Sequence, residues 1–223
     1  MAPIDQYWNS FSGIDPESNR AKRVRGLLQN ADFDHLCSQA VQLRLGKEEG
    51  LKSLFCTVDK TKFTSGACNV VIALSFSDGI QWIARIQLPL DDGSDDESVA
   101  TSLLSEVSTM ELIRARTTIP VPSVFGYDVS TRNIGYRYIL MEALSGRPLN
   151  GRIALSVPDA YKDKFATQLA HCLYELSTIR FGQIERLLYS ASGNSTCSKS
   201  TTVIAPVSQR KKLSSLWSKY SAP

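Results

Sequence analysis

The sequence predicts an α+β fold: an antiparallel sheet with one helix packed against it and a further helix downstream. Three observations predict it. Residues 80–88 alternate with period two, which puts Trp82, Ala84, Ile86 and Leu88 on one face of a strand and Ile83 and Arg85 on the other. Residues 51–58 and 69–76 are rich in apolar and β-branched side chains, and Ser77-Asp78-Gly79 supplies a tight turn into the 80–88 strand, so the three strands form a meander. Leu103, Glu106, Met110 and Ile113 recur at spacings of three, four and three, which predicts an amphipathic helix whose apolar stripe contains one carboxylate.

The remaining elements follow in order. Residues 1–30 are polar and mixed, with Ser10, Ser12, Gly13 and Pro16 breaking any period, and read as an N-terminal arm. A helix is expected from Asp32 to Leu45, with Leu36, Ala40 and Leu43 on one side and Gly46 as its stop. The acidic run from Asp91 to Glu97 lacks the spacing and closing glutamate of a calcium loop. It reads as a solvated segment whose acids suit the start of the next helix. That helix should end near Arg116, because Pro120 and Pro122 cannot continue it. Strands are expected over 123–129 and 136–141, joined by a polar turn. A second long helix from Pro158 to about Ile179 places Tyr161, Phe165, Leu169, Cys172 and Leu176 on one face, with Ser156 and Asp159 as a capping box. Beyond Ser190 the composition turns to Ser, Thr, Gly and Asn and then to a basic stretch with Trp217. This predicts a flexible tail, with an interaction or membrane-seeking segment as the alternative.

Size and composition bound the function. A chain of 223 residues with 43% apolar content can bury a substantial core and reads as one domain with tails. It carries 25 basic and 22 acidic residues, but Arg210, Lys211, Lys212 and Lys219 lie in an acid-free C-terminal stretch; without them 21 bases face 22 acids, which leaves no nucleic-acid footprint. The N-terminus has no positive region followed by an apolar one, and no apolar run is long enough to span a bilayer, so an intracellular, cytoplasmic protein is expected. Five cysteines, at 37, 56, 68, 172 and 197, form no C-x-x-C pair and read as free thiols in a reducing compartment. Neither His35 nor His171 has a neighbour at metal-ligand spacing, so no metal site is expected. Asn194-Ser195-Thr196 matches the glycosylation pattern but reads as idle without a signal peptide.

Arg85 and Glu106 are the chemistry-bearing pair. Each sits beside apolar neighbours on its element, and an unpaired buried charge costs several kcal/mol, roughly, so each is the economical partner of the other if helix and sheet pack together. The alternative is that Arg85 snorkels to water and Glu106 lies at the edge of the stripe. Glu111 is a rival carboxylate, but its angle on the helix turns it toward Arg114 and Ala115 as a surface pair.

Five stretches in order, Phe76-Ser77-Asp78-Gly79, Trp82-Ile83-Ala84-Arg85-Ile86, Glu106-Val107-Ser108-Thr109-Met110, Ile119-Pro120-Val121-Pro122 and Tyr138-Ile139-Leu140-Met141-Glu142, resemble the aminoglycoside phosphotransferase family, especially its fungal branch, over residues 50–190. The resemblance implies the small lobe of a protein-kinase-like fold with the first helix of a large lobe. The divisions are then an arm at 1–30, a nucleotide-binding lobe at 31–149, the start of a helical lobe at 150–190 and a basic tail at 191–223. It implies ATP as the nucleotide. Residues 63–69 resemble the family's phosphate-covering loop, in which Gly66 permits close backbone approach and Asn69 shapes the turn; an ordinary hairpin bend is the alternative. Arg85 stands where kinases carry the lysine that holds the α- and β-phosphates, and Glu106 where the helix glutamate pairs with it. Arginine there is a departure that exchanges a compact ammonium for a planar fork. Ile83 would cover the adenine, and the backbone of Glu142, Ala143 and Leu144 would form the hinge along its edge; a plain strand end before the Ser145–Pro148 turn is the alternative.

The larger departure lies downstream. Phosphoryl transfer needs a base-positioning Asp and two metal-holding side chains, which the family supplies from an H-G-D loop, a following Asn and a later Asp. His171 is followed by Cys172-Leu173-Tyr174, and His35 precedes the sheet, so neither supplies that loop. Phe181-Gly182-Gln183-Ile184 and Val203-Ile204-Ala205-Pro206 continue the family-like text without it. The expectation is therefore a lobe without its catalytic residues, inactive by itself, with magnesium bound only when a catalytic lobe is present. Three function classes stay open. The chain is part of an enzyme that moves the ATP γ-phosphate to a small-molecule hydroxyl; or a non-catalytic module that docks a protein partner or a second copy through the uncovered 158–179 helix; or an α+β domain with no nucleotide site.

Overall fold

The computed structural model describes residues 8–47, 53–89, 96–145 and 157–181. Among them run four helices, α1 (Asn19–Asn30), α2 (Phe33–Leu45), α3 (Asp96–Arg116) and α4 (Asp159–Thr178), and five strands, β1 (Cys56–Ser65), β2 (Asn69–Phe76), β3 (Gln81–Gln87), β4 (Val124–Asp128) and β5 (Tyr138–Glu142). The strands form one antiparallel sheet in the order β1-β2-β3-β5-β4. The expected α+β arrangement is present. Leu51 at the start of the expected first strand, the acidic run through Asp95, residues 146–148, Ser156 and everything beyond Phe181 lie outside the described residues.

Strands β2 and β3 alternate buried and half-buried residues without a break. Their buried face, with Val70, Ile72, Leu74 and Phe76 from β2 and Trp82, Ala84 and Ile86 from β3, joins Leu140 of β5 in the larger core, which α1 and α2 cover. The other face carries Ile83, Ile139 and Met141, against which α3 lays Leu103 and Val107. The sheet is thus the middle layer between two helical coverings.

Residues 19–30 differ from the expected arm. They form α1, capped by the Ser18 hydroxyl, which accepts from the Ala21 amide at 3.2 Å, and Ala21, Val24 and Leu27 are fully buried. Three small or medium apolar residues at i, i+3 and i+6 suffice for burial because the basic residues between them point elsewhere. The first strand also differs. Its pairing shifts between Val58 and Phe63, so the polar residues 59–62 bulge out at the sheet edge and the strand resumes with Phe63 in the core. Helix α4 begins after Pro158 with no side-chain cap bond.

Helix α2 is capped at both predicted ends, with the Asp32 carboxylate accepting from the His35 amide at 2.8 Å and the Gly46 amide donating to the Gln42 carbonyl at 3.0 Å. Its last turn holds a buried arginine. Arg44 forks onto Asp78 of the β2–β3 turn, Nη1 to Oδ1 at 3.0 Å and Nη2 to Oδ2 at 2.8 Å, and its guanidinium lies over the Phe76 ring at 4.7 Å. Gly79 completes that turn at φ 84°, a conformation only glycine adopts without cost, and its amide donates to the Phe76 carbonyl.

Two outcomes follow for stability. Leu27→Ala should cost about 2–5 kcal/mol, read as a lowered thermal midpoint, whereas Lys22→Ala on the exposed side of the same helix should change stability by no more than about 0.5 kcal/mol. Equal effects at both positions would contradict the packing of α1. The Arg44 guanidinium holds the Asp78 carboxyl below its ordinary value. A depressed carboxylate stabilises the fold above its unfolded pKa, about 3.9, and that contribution disappears as pH falls through the lower folded value. Asp78→Asn should therefore be less stable than the parent at neutral pH, and the gap should close in acid; a gap independent of pH would exclude the pair as its source.

Candidate functional site

The half-buried face of β2 and β3 presents polar groups at its open corner. Arg85 of β3 pairs through Nη1 with Glu106 Oε1 of α3. Asn69, the first residue of β2, completes the arrangement when its side-chain amide is turned to suit its neighbours: in that orientation its oxygen accepts from Arg85 Nη2 at 3.0 Å, and its nitrogen donates to the Cys68 carbonyl at 3.3 Å. One guanidinium is thus gripped from two elements. With Cys68, Gln87, Ser102, Leu103 and Ile139, these three residues line a cleft of about 170 Å³.

The pair differs from a buried ion pair. The stripe of α3 that packs is Leu103 and Val107 with Met110 at its margin, and Glu106 lies one step round the helix on the Arg85 side. About a third of each side chain is exposed, 30% for Arg85 and 37% for Glu106. Partial burial lowers the Arg85 guanidinium below its ordinary pKa, yet an arginine remains charged at neutral pH. A rim pair of this kind contributes at most about 1 kcal/mol to stability. Its effect is orientation, because a guanidinium held on two sides presents its remaining N–H groups in a defined direction.

The turn beside this corner spans Gly66, Ala67 and Cys68 between β1 and β2, closed by the Gly66 amide donating to the Asn69 carbonyl at 2.9 Å. A side chain at Gly66 would meet nothing within 4 Å, so the space over the turn is open. Helix α1 holds the turn from behind. Arg20 donates to the Ser65 carbonyl and, at 3.1 Å, to its hydroxyl, while Arg23 donates to the Ala67 carbonyl at 3.3 Å and the Pro89 carbonyl at 2.7 Å. Sequence reasoning missed these arginines because it read their segment as an arm.

The other expected residues lie farther along the same face. Ile83, two residues before Arg85, packs against the Leu103, Val107, Ile139 and Met141 cluster and pairs in register with Met141. Glu142 follows at the end of β5, where Ser123 occupies its amide and its carboxylate: the amide donates to the Ser123 carbonyl at 2.8 Å, and the carboxylate accepts from the Ser123 amide at 3.0 Å and hydroxyl at 2.8 Å. Those bonds, with Arg114 at 3.8 Å, hold the Glu142 carboxyl below its ordinary pKa. Ala143 and Leu144 continue the chain, Leu144 exposed. Gly66, Asn69, Arg85 and Glu106 are therefore brought to one corner, with Ile83 and residues 142–144 at the opposite end of the face. Arg114 reaches Glu142 and the Val121 carbonyl.

Gln87 was not anticipated, although period two puts it on the Arg85 face. It lines the same cleft, and its side-chain oxygen is buried with no hydrogen-bond partner among the described residues. His171 is exposed on α4, 3.7 Å from Glu175, away from this corner. No group of three or more His, Cys, Asp or Glu side chains among the described residues could hold a metal ion, and no helix among them is long and apolar enough to cross a membrane.

No family model matches the chain. Two curated proteins of Aspergillus fumigatus, one from strain CEA10 and one from strain Af293, each named a subtelomeric hrmA-associated cluster protein, are 36% identical to it over 124 residues, 55% of this chain and 23% of theirs. The chain therefore spans less than a quarter of the length of these relatives. Among solved structures, the GDP and kanamycin complex of APH(2")-IIIa is matched over 64% of this chain and 41% of that one, at 18% identity and a TM-score of 0.40. The GDP complex of wild-type aminoglycoside 2'-phosphotransferase-IIIa gives 64% and 42%, 19% identity and 0.39.

Proposed function

We propose that this chain is the nucleotide-binding lobe of a phosphotransferase-like protein. The observation that supports it is the convergence of Arg85, Glu106 and Asn69 on one cleft beside the Gly66 turn. In this reading the oriented Arg85 fork binds the α- and β-phosphates of ATP, Gly66 lets the turn backbone approach them, and Ile83 with residues 142–144 receives the base. Arg85 replaces the lysine of the family pattern and binds as a planar fork instead of a point charge. Gln87 lines the cleft, and its buried side-chain oxygen, without a hydrogen-bond partner among the described residues, suits a water next to the phosphates.

Phosphoryl transfer is proposed only for a whole protein that adds a base-positioning Asp and metal-holding side chains, with a small-molecule hydroxyl as acceptor. Such a protein would hold magnesium through those residues. Helix α4 offers the surface on which further helices would pack. Tyr161, Leu169, Leu173, Tyr174 and Leu176 are exposed, and it is tied to the body through Glu175, whose carboxylate accepts from the Thr118 amide at 3.1 Å and hydroxyl at 3.0 Å. The same exposed face favours the second reading, a non-catalytic module that binds a protein partner or a second copy there.

Thermal unfolding with and without ATP tests the site. ATP at about 100 times its Kd adds about 2.7 kcal/mol of stability, a rise of several degrees in the midpoint for a chain of this size. The rise should vanish in Arg85→Ala and shrink in Arg20→Ala, which frees the Gly66 turn, while Lys22→Ala retains it. A full rise in Arg85→Ala would exclude this corner as the phosphate site.

A further inference from the structure

Arg137, the residue before β5, is a buried cation with an incomplete set of partners. Its side chain is 10% exposed, and its backbone carbonyl accepts from the amide of Gln87, the last residue of β3, at 2.9 Å. Its Nη2 pairs with the Asp96 carboxylate and donates to the Asp96 carbonyl at 3.3 Å. Its Nε, which shares the side-on fork of the guanidinium with Nη2, is buried and has no hydrogen-bond partner among the described residues. Buried donors are rarely left so, and a carboxylate seated on the fork with both oxygens satisfies both nitrogens. Asp96 satisfies one. The Asp96 side chain is 86% exposed, so it reaches the arginine from the solvent side.

A cleft lies at the same place. About 320 Å³ in volume, it is enclosed by the end of β3, the first turn of α3 and the connection from β4 to β5, and Arg137, Asp96 and Gln87 all line it. Leu88, Pro89 and Val99 give it an apolar wall. A cavity of this size, apolar on one side and carrying one buried charge, has the make-up of a small-molecule site.

We propose that this cleft binds a small monocarboxylate with an apolar body, whose carboxylate takes the Nε and Nη2 fork of Arg137 while Asp96 moves into water. Two observations favour a carboxylate over a phosphate ester. Arg137 is the single cation among the described residues that line the cleft, and Asp96 already stands against it, so a second negative charge on the ligand is left uncompensated. Asp96 also shows that Nη2 takes a carboxylate in this position. The exchange is favourable because Asp96 gains hydration on leaving, whereas the ligand completes the fork and buries its apolar body. The site is separate from the Arg85 corner, although Gln87 borders both clefts, and the inference does not rest on nucleotide binding.

NMR titration of the isotope-labelled full chain with sodium benzoate, against sodium chloride at equal ionic strength, tests the site. The signals read are the Arg137 Nε–H, identified by its loss in Arg137→Gln, and the amides of Leu88 and Val99. All three should shift saturably with benzoate and stay in place with chloride. Benzamide, of the same shape without the charge, should bind at least about tenfold more weakly, and methyl phosphate should also bind more weakly than benzoate. Asp96→Ala removes the internal competitor and should tighten benzoate about three- to tenfold, whereas Arg137→Gln should abolish saturation. Should Arg137→Gln fail to fold, the Asp96→Ala gain carries the test, because a pair that only anchors α3 predicts no gain. The proposal is overturned by a parent chain without a saturable shift, by an equal response to chloride or benzamide, by tighter binding of methyl phosphate, or by an Asp96→Ala affinity no higher than the parent's. Stabilisation by ATP is a separate readout, so either result leaves the Arg85 site to its own test.

Discussion

Strict alternation along β2 and β3 is the constraint on which the rest of the molecule depends. Seven registered pairs, from Asn69 with Gln87 to Ser75 with Gln81, lock the two strands so that every apolar residue of one face meets α1 and α2. The same pairs leave Val71, Ala73, Ile83, Arg85 and Gln87 together on the other. A slip of one residue would bury Arg85 in the larger core and expose Ala84 and Ile86, at a cost no local interaction could offset. The position of the candidate phosphate-binding cation is thus a consequence of core packing. It does not rest on its own ion pair.

The helices serve that sheet in different ways. Helix α2 supplies apolar cover and a charged anchor, with Arg44 gripping Asp78 at the far end of the β2–β3 hairpin. Helix α1 reaches the near end, where Arg20 and Arg23 bind backbone carbonyls on both sides of Gly66. Both hairpin ends are therefore held by arginines from the layer opposite the cleft. A turn held from behind can keep its open side free for a ligand, which lowers the ordering cost of binding.

Helix α3 contributes less to stability than to geometry. Its buried contacts are few, Leu103 and Val107 chiefly, and its charged contact with Arg85 is exposed to water on one side. Such a helix holds its glutamate in place while remaining one of the less strongly anchored elements of the fold. The exposed apolar face of α4 stands apart, joined to the body by the Glu175 bonds to Thr118.

Much of this was legible in the residues. Alternation identified β2 and β3, Asp32 and Gly46 marked both ends of α2, Pro120 bounded α3, and one charge on each of two facing elements pointed to the Arg85–Glu106 pair, because these signals are local and periodic. The sequence alone did not show that α1 is buried, since three apolar residues among arginines and lysines acquire meaning only when a sheet lies beneath them. Nor could it show that Asn69 turns onto Arg85 or that Glu142 is taken by Ser123. Side-chain periodicity is a property of one element and is written along the chain. The partner of a polar group is chosen by which elements the core brings together, and only the tertiary structure decides that.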